Sequence, residues 1–222
     1  MLRTVRRLVD LVALRDKQYR FLFQDQETDE AISLDCETTG FDPWVDEIVS
    51  IAAIPIRGSR ILTSEAYCAV LRPEAAMTAR SIRVHQLREK DVEGGRPMGE
   101  VLPELLYFIG SRPLVGYWID FDVRMLDKYL IETLNIHLPN RRFDVSKLYY
   151  DRKYGNAPPG TPIDLSLASI QRDLALPVLQ QHDAFNDALC AAEMYVILKD
   201  MTARGARIRR EPQERHIAFA AG

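Results

Sequence analysis

The spacing of hydrophobic positions changes partway along the chain. Between residues 31 and 71 they form three dense runs, "AISLDC", "EIVSIAAIPI" and "ILTSEAYCAVL", and the second is rich in β-branched residues. Such runs predict strands. The turn residues "RGSR" between the second and third runs predict that the three strands form an antiparallel meander.

From residue 98 onward, most apolar residues recur at helical spacing. The helical segments are "MGEVLPELLYFIG", "DFDVRMLDKYLIETL", "SKLYYDRKYG", "DLSLASIQRDLA" and "DAFNDALCAAEMYVILKDM". Two short apolar runs between them, "RPLVGYW" and "RRFDVS", predict further strands. Three strands followed by helices that alternate with two further strands predict one α/β domain with a mixed sheet.

The two ends of the chain differ from its middle. Residues 1–30 predict an N-terminal helical extension followed by a solvated acidic loop. Residues 202–222 predict a loosely ordered, basic C-terminal tail. The remaining residues, 31–201, are expected to form the functional domain.

Composition narrows the class of protein. The chain has 222 residues, 47% hydrophobic and 27% charged, which is typical of an ordinary soluble globular protein. Because no run of about 18 apolar residues exists, no membrane span is expected. The arginine-containing start has an apolar patch interrupted by Asp10 and no small-residue cleavage site, so we do not interpret it as a signal peptide. Three cysteines without paired spacing favour reduced thiols and a cytoplasmic location.

The net charge of −3 restricts how the chain could bind nucleic acid. Proteins that bind nucleic acid by bulk electrostatics are usually basic. Either the partner is not nucleic acid, or the chain holds a short stretch locally with the help of metal ions.

Acidic residues stand at the ends of predicted strands and starts of predicted helices. Asp35 and Glu37 end the first strand and project to the same side. Their burial would be costly unless a cation compensated them. Asp122 opens a helix just after a strand, and Asp187 lies one turn into the last long helix. His182, five residues earlier, would stand roughly 7 Å along the axis at 1.5 Å per residue.

Four carboxylates and one histidine suit hard cations such as Mg²⁺ or Mn²⁺ better than zinc. Two such ions would clamp an in-line displacement at phosphorus, one activating water and the other stabilising the leaving oxygen. His182 would serve as general base, because an unperturbed histidine titrates near neutrality.

The segments "DCETTG", "GYWIDFD" and "HDAFND" resemble the three motifs of DnaQ-like 3′–5′ exonucleases. The resemblance is to the Asp-Glu-Asp-Asp-His branch, which includes the epsilon subunit of bacterial DNA polymerase III, and it covers roughly residues 31–201. It implies a ribonuclease H-like α/β fold, with a mixed central sheet of three antiparallel strands and then two parallel ones, flanked by helices. It also implies two-metal hydrolysis releasing 5′-mononucleotides. The implied ligands are Asp35, Glu37, Asp122 and Asp187, with His182 as base.

Substrate contacts are expected beside these motifs. Thr38, Thr39 and Gly40 form the turn after the first ligands, and their small size and free backbone N–H groups suit a terminal nucleotide. His85 lies in a region that is near the nucleotide in the family, although a structural role fits it equally well. Phe121, next to the ligand Asp122, completes the expected substrate-binding set.

The second motif departs from the family pattern. Tyr117 and Trp118 stand where many members have His-Asn, which leaves substrate preference open. They could stack on a base, but we favour a core role because they end an apolar strand. We interpret Asp120 and Asp144 as helix caps rather than ligands.

We therefore expect a metal-dependent 3′–5′ exonuclease acting on single-stranded 3′ ends, with DNA favoured. An exoribonuclease acting on RNA ends or short oligoribonucleotides is the alternative, and a non-catalytic nucleic-acid-binding adaptor is the alternative of another class. Because the chain ends about twenty residues after the last helix, it is not expected to be the epsilon subunit itself. "QYRFLF" resembles a sliding-clamp-binding peptide, so polymerase or clamp association is a further possibility, but we favour packing of these residues against the domain.

Overall fold

The computed structural model describes residues 2–24, 29–73, 92–180 and 182–210. Its centre is a six-stranded mixed sheet with the order β3-β2-β1-β5-β6, in which β4 also pairs with β2. The strands are β1 (Glu30–Thr38), β2 (Ile48–Arg57), β3 (Arg60–Ile61), β4 (Tyr67–Val70), β5 (Leu114–Gly116) and β6 (Arg142–Asp144).

The longest strand pairing joins β1 to β2, and it is antiparallel. The partners of β2 on its other side, β3 and β4, are also antiparallel to it. β5 is parallel to β1, and β6 is parallel to β5. This confirms the expected sheet of antiparallel strands followed by two parallel ones, and it places the carboxyl ends of β1 and β5 at the same edge.

The predicted third strand is wrong in detail. The run "ILTSEAYCAVL" is divided into β3, a 3₁₀ helix at Thr63–Glu65, and β4. Within the break, the N–H of Glu65 donates to Leu62 O at 3.0 Å, and that of Ala66 donates to Thr63 O at 3.3 Å. The polar Thr-Ser-Glu stretch thus satisfies its backbone locally instead of through the sheet.

Helices cover both faces of the sheet. They are α1 (Leu2–Ala13), α2 (Met98–Ile109), α3 (Asp120–Leu134), α4 (Val145–Lys153), α5 (Leu167–Asp173) and α6 (Ala184–Ala203). On one face, Leu34 of β1 packs in a core with residues of α2 and α3. On the other face, Ser33 donates its hydroxyl to Ala188 O of α6 at 2.7 Å. Ala184 and Ala188 pack against Ala52 and Ile54 of β2, and these small residues let α6 lie close to the sheet.

The segment after α1 joins the main core. Tyr19 and Leu22, in a 3₁₀ helix at Lys17–Phe23, are buried in the same cluster as Leu34. The ring of Phe21 stacks on Tyr107 with centroids 5.0 Å apart. The hydrophobic residues of "QYRFLF" therefore pack against the domain, as expected. None of the helices in the described ranges has the length and apolar character to cross a membrane.

Candidate active site

The acidic pair of the first motif lies at the carboxyl end of β1. Asp35 is opposite Ala52, and Glu37 is opposite Ser50, both on β2. These small partners leave room for the carboxylates on their face of the sheet. Between Glu37 and Thr38 the strand register shifts, an irregularity that is common where a strand ends beside a functional site.

The second motif brings Asp122 to the same edge. β5 ends at Gly116, where a Cβ atom would stand 2.9 Å from both Leu34 O and Ile119 Cδ1, so only glycine fits this approach to β1. The backbone then turns through Trp118, at φ 56°, into α3. Asp122 is buried, and its Oδ1 accepts the N–H of Cys36 at 3.0 Å. This bond fixes the carboxylate between the two acidic residues of β1.

The third motif supplies the remaining groups from the start of α6. Asp183 caps the helix by accepting the N–H of Asn186 at 2.9 Å. His182 has a left-handed backbone, at φ 61°, and its N–H donates to Asp187 Oδ2 at 2.9 Å. As a result, one side-chain ligand atom from each of Glu37, His182 and Asp187 lies within 4.8 Å of the other two.

All five residues implied as ligands and base line one cleft of about 910 Å³: Asp35, Glu37, Asp122, His182 and Asp187. Another part of its lining, here called the aromatic wall, consists of the apolar and aromatic side chains Phe41, Tyr117, Trp118, Phe121, Leu167 and Ala168. The cleft therefore combines acidic residues with aromatic ones.

Burial of the carboxylates makes their ionisation unfavourable. It raises the pKa of Glu37 to about 7 and that of Asp122 to about 8, although the N–H of Cys36 partly offsets the increase at Asp122. Burial and the neighbouring carboxylates raise the pKa of Asp35 well above its usual range. The pKa of Asp187 is also raised by burial. This cluster of oxygen ligands fits divalent cations, whose charge would compensate the repulsion.

The residues of the predicted turn also line the cleft, but their polar groups are committed within the loop. Thr39 donates its N–H to Glu47 O at 2.8 Å and its hydroxyl to Asp46 at 3.1 Å. The hydroxyl of Thr38 donates to Gly40 O at 2.6 Å. The expectation of a free N–H at Thr39 is therefore wrong, because the loop closes on itself. His85 lies outside the described residues.

Two expectations about the second motif need correction. Trp118 is not a core residue: it is 52% exposed and lines the cleft, because its left-handed backbone turns it away from the strand. Asp120 is not a helix cap, since it lies inside the first turn of α3 and pairs with Arg142 at 3.0 Å and Lys147 at 3.1 Å.

The other predicted cap is confirmed. Asp144 precedes α4, and its carboxylate accepts the N–H of Ser146 at 2.9 Å. Tyr117 is half-buried, and its hydroxyl donates to Leu165 O at 2.9 Å.

Sequence reasoning missed several residues of the cleft. The ring of Phe41 packs 6.1 Å from that of Phe121, and its place directly after "DCETTG" was an available signal. Asp46 is joined to Thr39 across the loop. Leu167 and Ala168, in contrast, reach the cleft through tertiary packing of α5, which no local pattern reveals.

Comparison with known proteins agrees with this geometry. Residues 32–195 match the RNase_T family model, described as "Exonuclease". The chain belongs to this exonuclease family. Membership confirms the resemblance to the Asp-Glu-Asp-Asp exonucleases and sets aside the non-catalytic adaptor. The matched residues are thus those of a 3′–5′ exonuclease domain, a hydrolase of phosphodiester bonds.

The curated proteins that this chain resembles are of different kinds. The DNA polymerase III PolC-type of Thermotoga maritima is 28% identical over 174 residues, covering 77% of this chain but 12% of that protein. The chain thus spans about an eighth of the PolC-type polymerase. The DNA polymerase III subunit epsilon of Aquifex aeolicus is 27% identical over 77% of this chain and 81% of its own length. The oligoribonuclease of Leifsonia xyli is 27% identical over 75% of this chain and 86% of its own length.

Solved structures confirm the fold. The E. coli ExoI–ssDNA complex aligns with a TM-score of 0.66 at 16% identity, covering 80% of this chain and 42% of that one. The nuclease domain of 3′hExo bound to rAMP aligns with a TM-score of 0.64 at 15% identity, covering 85% of this chain and 99% of that one.

Proposed function

We propose that this exonuclease uses two divalent cations, Mg²⁺ or Mn²⁺, to remove nucleotides from single-stranded 3′ ends, with DNA as the favoured substrate. The supporting observation is the cleft whose lining combines four carboxylates with raised pKa values, His182 and the aromatic wall. A terminal nucleotide has the same division, with a charged phosphate at one end and a flat base at the other.

The cations would be held by Asp35, Glu37, Asp122 and Asp187. When bound, they would supply Lewis-acid stabilisation of the negative charge that develops on phosphate oxygens during displacement. The chain orients two of these ligands in advance through backbone N–H groups, that of Cys36 for Asp122 and that of His182 for Asp187. Preorganised ligands need little rearrangement at the moment of reaction.

His182 would accept the proton of the attacking water at a ring nitrogen. Its side chain shares the cleft with the carboxylates, and one ring nitrogen lies within 4.8 Å of oxygens from both Glu37 and Asp187. The residue is exposed, so the proton can pass from the ring to solvent afterwards. A positioned base of this kind contributes about 10²–10⁴-fold to a rate.

The aromatic wall would hold the terminal base. Trp118, Phe121 and Phe41 all line the cleft, and stacking on such rings tolerates every base. A volume of about 910 Å³ is ample for one nucleotide. Because a paired terminal base would have to leave its partner to enter the cleft, a single-stranded end is the preferred form.

The DNA preference rests on the polymerase III relatives, and RNA is the second candidate because an oligoribonuclease is equally similar in identity. The test compares kcat/KM for DNA and RNA oligonucleotides of the same sequence, labelled at either end, with Mn²⁺. We expect stepwise shortening from the 3′ end and a higher kcat/KM on DNA. A higher value on RNA would favour the exoribonuclease, and an Asp187→Asn preparation controls for contaminating nucleases.

A further inference from the structure

The loop between β1 and β2, residues 39–47, exposes an apolar tip beside the cleft. Phe41 is 68% exposed, Trp44 is 83% exposed and Val45 is 69% exposed. Large apolar side chains grouped at one exposed site commonly mark a binding surface.

The tip is held in place by polar contacts at the base of the loop. The carboxylate of Asp46 accepts the N–H of Asp42 at 2.8 Å, and the Asp42 carboxylate accepts the N–H of Trp44 at 3.0 Å. Lys128 of α3 donates to Asp46 O at 3.0 Å. Gly40 lies so near Asp46 that a Cβ atom would collide with the carboxylate. Trp44 is therefore displayed on an ordered loop.

The tip is also continuous with the cleft. Phe41 belongs to both, since it is exposed on the loop and lines the cleft with its ring 6.1 Å from that of Phe121. Beside the loop, α3 carries two cations one turn apart, Arg124 and Lys128, of which Lys128 contacts the loop. Aromatic rings that accept bases next to cations that accept phosphates are the usual elements of a single-strand binding track.

We propose that Trp44 is a stacking platform for a nucleobase upstream of the terminal nucleotide. The cleft then takes the nucleotide being removed, and the loop tip holds the strand that follows it past Phe41. This inference rests on the proposed function of the cleft. It predicts that affinity rises with substrate length beyond the terminal nucleotide, and that the increase depends on Trp44.

The two tryptophans of the chain, Trp44 and Trp118, provide separate reporters for the two positions. In an Asp187→Asn background that slows hydrolysis, Trp118→Phe leaves Trp44 as the sole tryptophan, and Trp44→Phe leaves Trp118. We expect an oligothymidylate of about ten nucleotides to quench the fluorescence of both reporters. Thymidine monophosphate should quench Trp118 alone, because it occupies only the cleft.

Kinetics provide a second readout on the otherwise wild-type enzyme. Trp44→Ala should raise KM for the oligothymidylate by about 5- to 150-fold, the usual range for losing one base–aromatic stack. The same variant should keep the wild-type kcat for the oligothymidylate. It should also hydrolyse the p-nitrophenyl ester of thymidine 5′-monophosphate at the wild-type rate, because this substrate is too short to reach the tip. Trp44→Phe should restore most of the affinity, and Val45→Ala, on the same tip, should change KM little.

The two proposals fail in different ways. If the oligothymidylate quenches Trp118 but not Trp44, and Trp44→Ala keeps the wild-type KM, the inference is overturned. The exposed apolar tip would then be a surface for a protein partner. If neither tryptophan responds and no oligonucleotide is hydrolysed, the function proposed for the cleft fails as well.

Discussion

Replacing Glu37 by glutamine tests the electrostatics of the acidic cluster. Glu37 is buried at the end of β1, and burial followed by the charges of Asp187 and Asp183 raises its pKa to about 7 from an ordinary 4.5. Because the folded state holds the proton more tightly than the unfolded state, the metal-free protein loses stability as the pH rises between these values. Glutamine is nearly isosteric and stays neutral, so the variant lacks this loss.

The size of the effect follows from the two pKa values. The difference of 2.5 units, 7 minus 4.5, corresponds at about 1.4 kcal/mol per unit to roughly 3 kcal/mol at pH 8. In EDTA, Glu37→Gln should therefore exceed the wild type in free energy of unfolding by up to about 3 kcal/mol at pH 8. Near pH 4 the two proteins should be similar, because the wild-type carboxyl is then protonated in both states.

Urea denaturation across this pH range, with EDTA or with saturating Mn²⁺, measures the effect. Mn²⁺ should shrink the difference at pH 8, since a ligand at about 100 times its Kd stabilises the folded state by about 2.7 kcal/mol and the variant lacks one carboxylate ligand. The exposed Glu132 on α3 supplies the control, and Glu132→Gln should change stability by no more than about 0.5 kcal/mol. A Glu37→Gln protein that is less stable than the wild type in EDTA at pH 8 would refute the reasoning.

Four further substitutions test individual roles. His182→Asn should fold normally, because asparagine tolerates the left-handed backbone, while turnover falls by about 10²–10⁴-fold; a near-wild-type rate would remove the histidine from the mechanism. Asp120→Ala should lose about 0–1 kcal/mol of stability from exposed ion pairs and stay active, whereas Asp122→Asn should be inactive; the opposite result would show that the second motif is misaligned. Gly116→Ala should lower the free energy of unfolding by about 1–3 kcal/mol, because its Cβ would crowd Leu34 O; an unchanged melting temperature would contradict that contact.

Features governed by local pattern could be predicted from the sequence. The alternation of side chains along β1 placed Asp35 and Glu37 on one face, and helical spacing located α2, α3 and α6. These features follow from the two side-chain periods and need no tertiary information.

Features decided by single backbone angles or by tertiary contacts could not be predicted. The left-handed conformation of Trp118 moves its ring from the expected core into the cleft. Asp120 is the first residue of α3, one residue after the cap position. Its carboxylate is directed by two cations, Arg142 of β6 and Lys147 of α4. A sequence pattern rarely locates a helix start to one residue.

The acidic cluster is proposed to perform metal-dependent removal of 3′ nucleotides. The most direct test follows a 5′-labelled single-stranded oligonucleotide over time with the wild type and with Asp35→Asn, each with Mn²⁺ and with EDTA. We expect a ladder that shortens one nucleotide at a time only for the wild type with Mn²⁺, with the rate of the folded variant reduced at least about 10³-fold. A similar ladder from Asp35→Asn, or one that persists in EDTA, would contradict it.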